Sequence, residues 1–203
     1  MSRNRANPNN TKNSRNSALA EPVTLYHHTL SLGNRKWTLW ASGQGLIRIS
    51  YEQDQGRLPA AWLQMYAPAA GFREEAAIFE QFGVIKQLES YFAGEAVSFA
   101  GIPLDLWGTP FQQEVWSGLA RIPYGQLMTY KELAVEIGRP QAVRAVGTAN
   151  GQNPIPVIVP CHRVIGANGT LTGYRGGLKL KQELLVLEGI THVGEAGHER
   201  FAF

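Results

Sequence analysis

An α+β chain of two unlike halves, an antiparallel sheet with a helix followed by a mainly helical part built around a helix-turn-helix, is what three features of the sequence predict. Short alternating segments fill residues 23–51, two Thr-initiated capping boxes open helices after residue 108, and the glycine- and proline-rich "FAGIPLDLWGTP" separates the two patterns. With 203 residues, 44% hydrophobic and 17% charged, the chain can bury a sizeable core. No apolar run is long enough to span a bilayer, and the basic N-terminus lacks the apolar segment of a secretory signal, so the expected compartment is the cytoplasm. A single cysteine excludes an internal disulfide and a zinc site built on several thiolates. The net charge of +3 suits a nucleic-acid partner without requiring one.

The elements follow in order. Residues 1–21, with "MSRNRANPNNTKNSRNSALA", are rich in Asn, Ser and basic residues and read as a disordered basic tail. "VTLYHHTLSL", "KWTLWAS" and "LIRISY", separated by "GNR" and "SGQG", read as an antiparallel meander. Ile78, Phe79, Phe82, Ile85 and Leu88 then recur at helical spacing in one helix that stops at Gly94. The boundary falls at Trp107 and Gly108, giving an N-terminal domain over 22–107 and a C-terminal domain over 108–190.

Thr109 as N-cap, Pro110 at the first helical position and Gln112 open the second half, with Phe111, Val115 and Leu119 as the apolar stripe. Thr129 and Glu132 repeat the capping box for a helix that closes at Gly138, and "QAVRAVGTANG" follows as its helix-turn-helix partner. "LKLKQELLVLEG" is the last helix, stopped by Gly189, and residues 191–203 read as an unstructured end.

The lone Cys161 lies in "NPIPVIVPCHRV". It is either a buried small hydrophobe or a reactive thiol. His162 beside it, Arg163 next, and three prolines stiffening the approach describe a rigid, electropositive setting that favours thiolate, a nucleophile needing no metal. Glu188 sits in the last turn of an apolar helix, where a carboxylate opposes the macrodipole. It is either solvated or the third member of a Cys/His/acid relay. Asn153 is a turn former or a strut for the loop. In the second helix of the helix-turn-helix, Arg144, Gly147, Thr148 and Gly151 share one face, and Val143, Val146 and Asn150 another. A face of small residues around one Arg either packs on a neighbouring helix or approaches a duplex groove.

"IPYGQLMTYKELA", "RPQAVRAVGTANGQNPIPVIVPCHRVIG" and "GTLTGYRGGLKLKQELLVLEG" resemble the methylated-DNA–protein-cysteine methyltransferases, or 6-O-alkylguanine-DNA alkyltransferases, almost continuously over 109–190. "SYFAGE" and "GTPFQQEVW" resemble earlier segments of that family. The resemblance implies a ribonuclease-H-like N-terminal sheet, a winged-helix-like C-terminal domain, and irreversible single-turnover transfer of an alkyl group from the 6-oxygen of guanine, and the 4-oxygen of thymine, to Cys161. It implies that His162, held by Glu188 and working through a water, deprotonates the thiol, that Tyr130 donates to the leaving base, and that Asn153 braces the loop. Arg144 would fill the stack vacated by a flipped base, with Gly147, Thr148 and Gly151 admitting the helix to the minor groove. Val164, Gly173, Tyr174 and Arg175 would line the pocket. Some members carry Ser where Arg175 stands, and Arg there would narrow or charge the pocket rim. The implied partner is double-stranded DNA containing alkylated guanine, bound by a monomer, with no cofactor, metal or membrane.

Three other readings compete. A damage-recognition module without transfer chemistry is disfavoured by Cys161, His162 and Glu188 occurring together. A cysteine hydrolase is disfavoured by the adjacency of Cys and His and the lack of an oxyanion-hole motif. A transcriptional regulator would carry base-reading side chains where this chain has Gly and Thr.

Overall fold

Apolar alternation builds β1 (Thr24–Leu32), β2 (Arg35–Ser42) and β3 (Gly45–Tyr51) as an antiparallel meander in the computed structural model, which describes residues 22–194. Gly33 and Asn34 both take left-handed backbone (φ 54° and 61°), the two-residue turn whose twist suits a β-hairpin. The basic tail expected over 1–21 lies outside the described residues, as do 195–203.

Two elements escape the sequence pattern. α1 (Ala60–Tyr66) leads into β4 (Gly71–Glu74), which joins the far edge in parallel with β1, so the strand order is β3-β2-β1-β4. Every residue of β4 is exposed, so no alternation marks it. The one helix expected to carry Ile78 through Leu88 and stop at Gly94 is broken. α2 (Ala77–Gln81) ends before Gly83, whose φ of 71° no continuing helix can hold, and α3 (Val84–Phe92) starts anew. The apolar stripe runs through the break because both pieces face the same core. Gly94 stops α3 as expected.

In the second half, Thr109 accepts from the Gln112 amide and Gln112 returns a contact to the Thr109 amide, capping α4 (Pro110–Leu119). Thr129 and Glu132 do the same for α5 (Tyr130–Glu136), which is followed by α6 (Val143–Gly151). β5 (Met128–Thr129) pairs in parallel with β6 (Val164–Ile165), and α7 (Leu178–Leu187) closes the fold with Glu188 as C-cap and Gly189 at φ 80°. The chain stays held beyond Ile190. The Gly194 amide donates to Gly169 and its carbonyl accepts from Leu171, so the end read as unstructured is anchored at least through Gly194. No helix among the described residues is long and apolar enough to cross a membrane.

One buried cluster runs through both halves. Leu39 and Ile49 from the sheet, Leu88 and Tyr91 from α3, Val115 and Leu119 from α4, and Ile155, Val159 and Leu184 all belong to it. A smaller aromatic layer, with Trp40 and Trp107, covers the sheet's other side. The free edge of β3 is occupied by the second half and its approach. The Ile49 amide donates to Pro154 (2.9 Å), and Leu46 exchanges bonds with Pro103 and Asp105.

That edge contact explains Gly45. A Cβ there would lie 2.6 Å from the Pro103 carbonyl oxygen, which is backbone and cannot rotate away. Gly45→Ala should cost about 1–3 kcal/mol in urea unfolding, as overpacking does. Gly43→Ala, with no atom within 4 Å of its Cβ, should stay within about 0.5 kcal/mol of wild type. Equal effects would mean that the edge contact is not tight.

Candidate active site

The path from α6 to Cys161 is fixed by backbone chemistry. Val157 is buried with φ 73°, a conformation that costs a β-branched residue about 1–3 kcal/mol and persists only under constraint. Pro160 (φ −83°, ψ 62°) centres an inverse γ-turn, in which the Cys161 amide donates to the Val159 carbonyl at 2.8 Å. Asn153 realises both of its readings. Its Oδ1 accepts from the Ile155 amide (3.0 Å), the local turn, while Nδ2 donates to Val159 O (2.7 Å) and Cys161 Sγ (3.0 Å), the strut.

Cys161, His162 and Arg163 form one short 3-10 turn, and all three are buried. His162 Nε2 lies 2.7 Å from Glu188 Oε1, so the sequence-predicted acid and base do meet. Glu188 is buried rather than solvated, and Arg163 explains how. Its Nε and Nη2 grip the two carboxylate oxygens at 2.8 and 3.0 Å, its Nη1 donates to Ile122 O at 2.6 Å, and the Gly125 amide adds a bond to Oε2 at 3.1 Å. Burial alone would raise the Glu188 pKa, but the bonds from His162 and Arg163 hold it down to about 2. His162 is lowered by burial, more than Glu188 raises it, and so favours the neutral imidazole. Its Nδ1 is buried with no hydrogen-bond partner among the described residues.

The electrostatics correct one expectation. Arg163 turns away to Glu188 rather than towards sulfur, and burial pushes the Cys161 thiol up from its ordinary value, outweighing the downward pull of Asn153, Lys181 and Arg175. The resting group is a thiol. A proton acceptor is therefore needed, not merely helpful.

Around the sulfur, Tyr130 opens α5 with its hydroxyl accepting from Thr172 Oγ1 at 3.1 Å, and Gly147 of α6 faces the Tyr130 ring. Lys181 is wholly buried, its Nζ donating to Val164 O (2.6 Å) and Thr172 O (3.0 Å), and burial lowers its pKa to about 8. It ties β6 to the segment carrying Gly173 and Tyr174. Tyr174 is buried with its ring edge-on to Tyr51 (6.3 Å). Arg175, besides the charge it presents to the thiol, has a commitment that the rim reading does not include. Its guanidinium stacks over Tyr51 (4.8 Å) and binds Asp54 (3.2 Å) and Ile49 O (3.3 Å), so it grips the N-terminal half. Sequence alone cannot supply that partner, which lies 121 positions away.

On α6, Arg144 and Thr148 are exposed and Gly147 half-buried, whereas Gly151 is buried and does not belong to the exposed face. The last turn of α6 packs under α4, where Trp116 Nε1 donates to Ala149 O at 2.8 Å. Helical spacing gives azimuth but not which turn is covered. No three His, Cys, Asp or Glu side chains gather as a metal-holding group among the described residues.

Two members, Tyr91 and Lys181, are not singled out by sequence, which reads Arg163 only as a positive charge beside the thiol. Tyr91 of α3 donates to Glu188 Oε1 at 2.7 Å, Arg163 orients that carboxylate, and Lys181 pins the pocket walls. Only Lys181 leaves a usable trace, a lysine on the stripe of α7 that also holds Leu184 and Leu185.

Comparison with known proteins agrees over both halves of the chain. The family model of the 6-O-methylguanine DNA methyltransferase ribonuclease-like domain matches residues 32–106, and that of its DNA-binding domain residues 110–190. A methylated-DNA–protein-cysteine methyltransferase of Mycolicibacterium paratuberculosis is 55% identical over 126 residues, 62% of this chain and 74% of that protein. One from Methanosarcina barkeri is 47% identical over 147 residues, 71% of this chain and 85% of its own length. Among solved structures, Mycobacterium tuberculosis OGT in complex with DNA superposes with a TM-score of 0.69 at 43% identity, covering 81% of this chain and 93% of that one. The O6-methylguanine-DNA methyltransferase of Pyrococcus kodakaraensis gives 0.59 at 25%, covering 81% and 99%.

The raised thiol predicts its own titration. The rate of alkylation of free protein by iodoacetamide should climb with pH through an inflection above the ordinary 9.0, and Asn153→Ala, which removes a donor to sulfur, should move it higher. An inflection below 9.0 would mean that the cationic surroundings dominate.

Proposed function

Since the chain belongs to the 6-O-methylguanine DNA methyltransferase family, we propose that Cys161 takes the alkyl group from the 6-oxygen of guanine, and from the 4-oxygen of thymine, in double-stranded DNA, once per protein molecule. It is thus a methylated-DNA–protein-cysteine S-methyltransferase, a DNA-binding protein that repairs DNA by moving alkyl groups to cysteine. The observation that carries the residue assignment is the buried Cys161 thiol placed one residue from an imidazole that is held by a carboxylate.

The thiol must lose its proton before attack. His162 favours its neutral form and has a buried Nδ1 with no hydrogen-bond partner among the described residues, which makes it the acceptor, through a bridging water. Sulfur then forms a bond to the alkyl carbon as the carbon–oxygen bond breaks, and the electron pair passes to the guanine ring. Tyr130, whose hydroxyl stays protonated because burial raises its pKa, donates to that ring. Attack at saturated carbon calls for no oxyanion hole. The thioether has no ready leaving group, so the sulfur is not regenerated and no cofactor is involved.

Buried sulfur cannot reach a base stacked in a duplex, so the base is flipped out. We assign Arg144, exposed in the first turn of α6, to the vacated stack. Gly147 and Thr148 lie on the side that meets the minor groove, and Val164, Gly173 and Tyr174 line the pocket for the flipped base. Small residues there support sequence-independent contact, as lesion scanning needs. The halves we assign as 22–107 and 108–190 divide the labour between buttress and chemistry. Trp107 and Gly108 fall in the gap between the two matched domains.

Intact-mass analysis after incubation with an equimolar duplex bearing one 6-O-methylguanine should show a single methyl increment on Cys161. Cys161→Ser should bind that duplex and gain nothing. Tight lesion binding with no increment in wild type would make the protein a damage-recognition module instead.

Arg144→Ala should slow transfer from paired duplex by about tenfold or more, the worth of roughly 1.4 kcal/mol, while leaving transfer from the free nucleobase unchanged. Equal rates for wild type and Arg144→Ala on duplex would remove the stack-filling role.

A further inference from the structure

We propose that Tyr91, contributed by the N-terminal half, is a positioning residue for alkyl transfer, holding Glu188 Oε1 against His162 Nε2 so that the hydrogen of the neutral imidazole stays there and Nδ1 is left to take the thiol proton. This rests on the relay reading above and deepens it.

The geometry is specific to the hydroxyl. The Tyr91 ring is fully buried, edge-on to Phe92 (5.4 Å) and Tyr124 (6.1 Å) and tilted against Phe99 (5.6 Å), a socket that phenylalanine would fill equally well. The oxygen is the only polar atom of the side chain. It donates to Glu188 Oε1 at 2.7 Å and lies 3.4 Å from His162 Nε2. Burying a hydroxyl in an apolar socket is costly without such a bond, so the bond accounts for the choice of tyrosine.

The direction of these bonds fixes the proton positions. Glu188 is ionised and only accepts. Tyr91 therefore spends its hydrogen on Oε1, and what it turns towards Nε2 is a lone pair. His162 Nε2 thus faces two oxygens, Glu188 Oε1 at 2.7 Å and Tyr91 Oη at 3.4 Å. A bare Nε2 would set lone pairs against lone pairs; a protonated Nε2 satisfies both. The neutral imidazole then carries its hydrogen on Nε2 and leaves a lone pair on Nδ1, the buried nitrogen with no partner among the described residues. When Nδ1 receives the thiol proton, the same two oxygens stabilise the imidazolium through Nε2–H.

The other groups acting on the ring leave this choice to the Nε2 side. Arg163 is committed to Glu188 and Ile122 O, and Lys181 to the Val164 and Thr172 carbonyls. Both are cations that lower the imidazole's proton affinity without contacting a ring nitrogen. Tyr124 donates to Leu187 O, away from the ring.

The test uses the full chain and three proteins: wild type, Tyr91→Phe, and Phe99→Leu, which loosens the same socket without touching the hydroxyl. Two readouts are taken. One is single-turnover methyl transfer from a duplex containing 6-O-methylguanine across pH, alongside duplex affinity. The other is imidazole ¹⁵N NMR, which reports the nitrogen that carries hydrogen. Wild-type His162 should show hydrogen on Nε2 alone. Tyr91→Phe should bind duplex as wild type does, populate the Nδ1–H form, slow transfer about tenfold, and shift the acidic limb of the pH profile. Phe99→Leu should lose thermal stability but keep the wild-type tautomer and limb.

Hydrogen on Nδ1 in wild type would overturn the proposal, and so would a Tyr91→Phe protein with unchanged tautomer, rate and limb, or a Phe99→Leu protein that reproduces the Tyr91→Phe effects. Failure of the underlying reading is separate: wild type would then transfer no methyl group at all.

Discussion

A carboxylate with almost no solvent contact has to be neutralised where it sits, and Glu188 draws the structure together by that requirement. Its two oxygens collect Tyr91 from α3, His162 and two of the three donor nitrogens of Arg163 from the thiol turn, and the Gly125 amide from the loop before β5. Removing one partner from such a cluster strands charge in low dielectric, at a cost of several kcal/mol. Glu188 caps α7, so the last helix, the nucleophile turn, the α4–β5 loop and the N-terminal half meet at one point. The carboxylate opposes the macrodipole of its own helix, and Arg163 offsets that penalty. A feature that looks unfavourable along one helix is satisfied by three other elements.

The two halves are joined in the same region more than once. The Ile49 amide of β3 holds the Pro154 carbonyl at the base of the thiol loop, Arg175 reaches back to Asp54 and Tyr51, and Tyr91 enters the carboxylate cluster. A single buried core runs beneath all three contacts. The N-terminal sheet therefore acts on the site as a buttress whose edge strand is shared between the active loop and the segment that leads into the second half.

What the sequence makes legible divides along the range of the interactions. Both capping boxes and the glycine stops at 94, 138 and 189 are written in local patterns, and the structure brings them to the expected positions; the Cys161–His162–Glu188 set is written in a compact motif, of which the structure brings His162 and Glu188 into contact. The break at Gly83 was hidden because the apolar stripe of α2 continues into α3 and a glycine inside a periodic run is often tolerated. β4 was hidden because it is short and exposed. Arg175 and Tyr91 were out of reach for another reason. Their partners lie 121 and 97 positions away, and a polar side chain carries no mark of the partner it will meet. Gly151 shows a third limit, since a helical wheel cannot tell that the final turn is covered by Trp116.

The thiol's burial and its reactivity pull against each other, and the site settles the conflict by position rather than by charge. A depressed thiol pKa would give sulfur a standing reactivity towards any small electrophile, which the proposed single-turnover action could not tolerate. Burial keeps the proton on Cys161, against the pull of Asn153 and Lys181. Those contacts become useful when an acceptor removes that proton, because they stabilise the anion that burial otherwise forbids. In the proposed transfer a bound base closes the remaining opening, so deprotonation, exclusion of water and the approach of the alkyl carbon coincide. Selectivity for a lesion over free alkylating agents then follows from a thiol that is more reactive within a filled pocket than in the free protein, and the rigid γ-turn, the strained Val157 and the Asn153 strut hold sulfur ready for that moment.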